Sequence, residues 1–195
     1  MSSTRKAKTS YVILALGIIL IAAAVGLYGV RTVSSHIAAS HARDVMTEMS
    51  RLIPQYADDD PKASGEMGTP LPQIEIDGTS FIGYLEFKQQ EAKIPVAADD
   101  YDGKEFASRA GGWPSSGPFM ISGRDNDGAM GILDEIKPGD DITFVDVNGT
   151  RRTYTVTNLG SVKASDDADD IKEDMVLYTG ISRNVMFALF AEEQH

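Results

Sequence analysis

The 195-residue chain has no cysteine, which excludes disulfides, thiolate metal sites and thiol nucleophiles together. Histidine is nearly as scarce. His36, His41 and His195 are the only three, two ahead of the predicted globular part and one at the last position. Neither a zinc cluster nor a histidine general base is therefore expected inside the fold. Beyond the N-terminus there is no basic cluster, and the net charge is −11. Nucleic acid as a partner is excluded on that ground, because binding it requires clustered Lys and Arg to neutralise phosphates. Hydrophobic content of 42% and charged content of 24% are ordinary for a folded domain and exclude disorder of the whole chain.

Long apolar runs are also rare, with one exception. Tyr11 to Val30 (YVILALGIILIAAAVGLYGV) is 20 residues without a charge. As a helix it would extend about 30 Å, the thickness of a bilayer's hydrocarbon core. It is too long for the apolar region of a cleaved signal peptide, about 7–15 residues. The sequence predicts a transmembrane helix over 11–30. Arg5, Lys6 and Lys8 precede it and only Arg31 follows closely. Positive flanks stay inside, so residues 1–10 are expected in the cytoplasm and the rest outside the plasma membrane.

After the span, Thr32 to Tyr56 reads as a helix, with Ile37, Val45, Met46, Met49, Leu52 and Ile53 at helical spacing. Ala57 to Gln73 (ADDDPKASGEMGTPLPQ) has linker composition. Residues 31–73 are accordingly expected to form an extracytoplasmic stalk and linker. From Ile74 onward the period changes to two. Strands are predicted at Ile74–Ile76, Phe81–Phe87, Lys93–Ala97, Phe119–Ser122, Asp141–Val147, Arg151–Leu159, Met175–Thr179 and Asn184–Ala191, with Asn148-Gly149 as a hairpin turn. Only Gly128 to Ile136 suggests a helical turn. About eight short strands in residues 74–195 predict a mainly β domain, a small closed β-barrel of antiparallel or mixed pairing.

Three stretches, taken in order, resemble the sortase family of Gram-positive surface-protein transpeptidases. Gly83-Tyr84-Leu85-Glu86-Phe87 with Ile94-Pro95-Val96 is similar to the family's opening strand pair. Phe119-Met120-Ile121-Ser122-Gly123-Arg124, followed by Gly131-Ile132-Leu133 and Lys137-Pro138-Gly139-Asp140, is similar to its apolar strand ending in Gly-His, short helix and Gly-Asp turn. Met175-Val176-Leu177-Tyr178-Thr179-Gly180, with Arg183 close behind, is similar to its Thr-Leu-x-Thr-Cys strand and downstream arginine.

The resemblance implies a sortase-like barrel and a mechanism in which a cysteine thiolate attacks a sorting-signal peptide, a histidine handles the leaving amine's proton and an arginine stabilises the oxyanion. The chain departs from that pattern at two of the three positions. Gly180 stands at the cysteine and Arg124 at the histidine, while Arg183 follows Gly180 by three residues, closer than the family spacing. Glycine has no side chain with which to attack, and a guanidinium, too basic to release its proton near neutrality, cannot cycle one there. The expected function is a pseudo-sortase without an intact catalytic residue. Arg124, Thr179, Gly180 and Arg183 would form its ligand-binding site, and a sorting-signal-like peptide, a surface protein or an active sortase would be its partner. An active transpeptidase using unconventional residues (Thr179, Ser182, Ser115 or Ser116 with Lys104, Lys163 or Lys172 as base) is one alternative, and a structural envelope scaffold another.

No cofactor is required by this reading. Asp166, Asp167, Asp169 and Asp170, with Glu173 and Asp174, crowd one segment. Some sortases place a calcium site there, and oxygen-rich loops suit Ca²⁺, so the segment is either a calcium loop or a solvated acidic loop. Trp113, the only tryptophan, is either the cap of a groove or a buried anchor under a loop.

Overall fold

The computed structural model describes residues 37–54, 71–99, 101, 103, 105–114, 116–163, 171–180 and 185–194. Among these, helix α1 runs over 37–52, and nine strands follow: β1 (Ile74–Ile76), β2 (Thr79–Phe87), β3 (Ala92–Ala97), β4 (Ala107–Trp113), β5 (Ser116–Gly123), β6 (Asp141–Asp146), β7 (Arg151–Lys163), β8 (Met175–Gly180) and β9 (Val185–Glu193). A 3₁₀ turn at Met130–Glu135 stands where a helical turn was expected. The strands are ordered β1-β2-β3-β4-β5-β8-β9-β7-β6, and a further pairing of β2 with β6 closes the last eight into a barrel. The pairing is mixed, with β3–β4 and β5–β8 parallel and the rest antiparallel.

Alternation fixes which residues fill the barrel. Leu85 and Phe87 of β2, Ile94 and Val96 of β3, Ile142 and Phe144 of β6, Tyr154 and Val156 of β7, Met175 and Leu177 of β8, and Leu189 and Ala191 of β9 share one buried cluster. Each fully buried side chain of this size contributes about 1.5–3 kcal/mol relative to an exposed one.

The strand missing from the sequence expectation is β4, whose run Ala-Ser-Arg-Ala-Gly-Gly-Trp carries no alternating apolar signal. Trp113 at its end is partly buried and packs against the barrel core, with the Arg109 guanidinium 4.2 Å from its ring centroid. Asn148-Gly149 does join β6 to β7, but in a longer loop than a two-residue turn. Gly149 takes the left-handed φ of 84°, Asp146 accepts its N–H at 3.0 Å, and the Asp146 carboxylate caps the N–H groups of Asn148 and Thr150 at 2.9 Å. The two-residue turn lies at Asp77-Gly78, whose φ values of 51° and 76° match the right-handed twist of the flanking strands.

Helix α1 corrects the expected stalk. Its apolar stripe is not free along a connector. Ala42, Val45, Met46, Met49 and Ile53 are buried against Ile76, Phe81, Tyr84, Ala97, Phe106 and Val145 on the outside of the sheet, and only Ile37 and Leu52 of the expected stripe are exposed. The same compact unit thus runs from Ala38 through the barrel, rather than beginning at residue 74. Leu71, expected in the linker, is buried in the barrel core. Among the described residues no helix is long and apolar enough to cross a membrane; the expected span over 11–30 lies outside them.

Candidate functional site

The stretches that carry the resemblance become neighbours through one parallel pairing. Strands β5 and β8 run side by side in register from Phe119↔Met175 to Gly123↔Thr179. Arg124 and Gly180 are the next residue of each, so they stand at the ends of adjacent strands. The chain after Arg124 is folded back on itself: the Arg124 carbonyl accepts N–H bonds from Asn126 and Met130, both at 2.9 Å. Gly123 permits this close return, because a Cβ there would lie 2.8 Å from Met130 Cγ and 3.0 Å from Ala129 Cβ. The backbone that presents Arg124 is therefore fixed, while its side chain is exposed.

Strand β8 divides its residues between two faces. Met175 and Leu177 point into the core, and Thr179, of the same parity, is buried at 8% exposure with no hydrogen-bond partner for Oγ1 among the described residues. Tyr178 faces the other way. Burial pushes its phenol pKa above the ordinary value, while a hydrogen bond with the side chain of Ser122, its register partner on β5, acts in the opposite sense. Gly180 shares the face of Tyr178. It is exposed, and a Cβ built on it meets no atom of the described residues within 4 Å. Among those residues the position has room for a side chain and carries none. Sequence reading overlooked the Ser122–Tyr178 pair, for which the only signal was its place one residue before Gly123 and Thr179.

The chemistry available at these strand ends is a permanently charged guanidinium beside hydroxyls and exposed backbone. Thr179 points inward and has no base beside it among the described residues. Lys172 is exposed and hydrogen-bonds through its backbone N–H to the carboxylate of Glu173. Arg183, Ser182, Ser115 and Lys104 lie outside the described residues, as do the side chains of Ser116 and Lys163. So do Asp166, Asp167, Asp169 and Asp170. Among the described residues no group of three or more His, Cys, Asp or Glu is placed to hold a metal ion. Of the acidic residues nearer β8, Asp174 is tied into the barrel: its Oδ2 accepts the Glu193 N–H at 2.9 Å and its carbonyl the Phe119 N–H at 2.7 Å.

Sequence comparison finds no matching family model and no matching curated protein. Solved structures do match. Sortase C1 of Streptococcus agalactiae superposes with a TM-score of 0.51 at 14% identity, over 82% of this chain and 89% of that one. Sortase C of Streptococcus pneumoniae gives 0.51 at 15% identity, again over 82% and 89%. The barrel is a sortase fold.

Proposed function

We propose that this chain is a membrane-anchored, sortase-like surface domain that binds a sorting-signal-like peptide, or another anionic envelope ligand, without cleaving it. The observation that carries the reading is the end of β8, where Gly180 has no side chain and, among the described residues, open space around it, next to Arg124 on the neighbouring strand. Peptide cleavage by the sortase route needs an attacking atom and a proton carrier that titrates near the working pH. Glycine supplies no attacking atom, and the guanidinium stays protonated. What the same geometry supports is recognition. A guanidinium gives bidentate, charge-assisted hydrogen bonds to a carboxylate, and the bare backbone at Gly180 lets a ligand approach closely. Sortase C of Streptococcus pneumoniae has pilin substrate specificity. By analogy the partner here is a segment of a surface protein, held during assembly alongside an active sortase.

Binding of an acidic, sorting-signal-like peptide to the purified full chain tests this. Arg124→Ala should weaken the affinity about tenfold, the ~1.5 kcal/mol expected of a hydrogen bond to a charged group. Arg124→Lys, which keeps the charge but loses the fork, should fall between. Equal affinity for all three proteins would overturn the reading.

A further inference from the structure

Across the barrel from β5 and β8, the outer surface of β2 changes character where the cover of α1 ends. Under the helix, the outward residues Phe81 and Tyr84 of β2 and Val145 of β6 are apolar and buried. Ile53 closes the last turn of α1 onto the Met49 carbonyl, and Pro54, which cannot donate a further bond, follows. One outward position further along β2 stands Glu86. Its register partner on β3 is Lys93, whose Nζ lies 3.3 Å from Oε1, while Arg151 Nη2, from the start of β7, lies 2.6 Å from Oε2. These three line a cavity of about 240 Å³ with Ser50, Tyr84 and Gly149.

The charges in this cavity do not cancel. Two cations face one carboxylate, a local excess of positive charge on a chain of net charge −11. Glu86 also leaves most of the donors unspent, because a guanidinium carries five N–H groups and an ammonium three. It positions both heads: Lys93 Nζ sits 5.2 Å from the centroid of the Tyr84 ring, and the Arg151 guanidinium donates to the Glu86 carboxylate at 2.6 Å. Burial works to raise the Glu86 pKa, but the bond with Arg151 and the nearby Lys93 charge outweigh it and hold the carboxyl below its ordinary value. The carboxylate therefore keeps its charge at neutral pH. The side chains of Arg151 and Glu86 are 32% and 26% exposed, which screens them less than an open surface would. A cavity of this size admits one small polar group and its immediate substituents, not a folded partner.

We propose that this cavity is a second binding site, separate from the strand ends at Arg124 and Gly180, for a small oxyanion held between Arg151 and Lys93. The shared chemistry is a carboxylate or phosphate group, and Glu86 is a positioning residue that the anion must partly displace.

The test is a titration of the full chain with inorganic phosphate and, separately, with acetate, followed by the backbone amide shifts of Gly149, Thr150 and Arg151 at constant ionic strength. The amides should shift saturably with at least one probe, and the better probe identifies the group. Lys93→Gln and Arg151→Gln should each weaken the better probe at least fivefold. Glu86→Gln should tighten it severalfold by releasing both cations from their competitor. A purely structural triad gives the opposite sign for Glu86→Gln. Arg124→Ala should leave this titration unchanged, so failure here and failure at the strand ends are separable. No saturable shift with either probe, or weaker binding in Glu86→Gln, would overturn the proposal. Should Arg151→Gln unfold, the unmodified chain, Lys93→Gln and Glu86→Gln still decide it.

Discussion

Two parts of the barrel wall, β2 with its helix and the paired ends of β5 and β8, use the same strand geometry to opposite ends. On the β2 side, α1 buries Val45, Met46 and Met49, and the first uncovered position carries a paired carboxylate. At the end of β8, a Cβ on Gly180 would meet none of the described residues, and Arg124 is exposed. A sheet supplies rigid positions in either case. Whether a position holds a network or stands empty depends on the side chain put there and not on the fold that carries it.

The sharpest way to break that contrast is to damage each side in turn. Met49→Ala removes a side chain of 0% exposure from beneath α1, and should cost about 2–4 kcal/mol in chemical denaturation, as large-to-small changes in a core do. A loss below about 1 kcal/mol would mean that the helix is only loosely seated. Gly180→Cys should do almost nothing to stability, within about 0.5 kcal/mol, because the position is exposed and the new Cβ meets none of the described residues. Its thiol, the only one in the chain, should be modified stoichiometrically by a methanethiosulfonate reagent in the folded state. Protection of that thiol would show the strand end to be covered.

The sequence announced some of this and hid the rest for physical reasons. Strands with one buried face were legible through their alternation, as at Asp141–Asp146 and in the first half of Arg151–Lys163. Strand β4 was not, because Arg109 and the Gly111-Gly112 pair replace the apolar residues that would have marked a buried face. The hairpin chemistry was half read: Asn148-Gly149 does turn the chain, yet the tight turn belongs to Asp77-Gly78, which the three-residue β1 gave little reason to notice. Helical spacing in α1 was correct in period but silent on what it would cover, since a stripe that docks on a sheet and one that lines a stalk look alike. The adjacency of Arg124 and Gly180 was visible only through motif order. A parallel pairing across 55 intervening residues leaves no local signature. The Glu86–Lys93–Arg151 cluster was equally silent, because it depends on register and on where α1 stops.

The measurement closest to the central claim is turnover. Purified full chain is incubated with a sorting-signal peptide, with and without an amine acceptor, and the products are followed by mass spectrometry. The account predicts neither hydrolysis nor transpeptidation above the peptide's spontaneous breakdown, because the end of β8 holds glycine where an attacking atom would be needed. Sustained turnover by the unmodified chain, scaling with protein concentration, would contradict it.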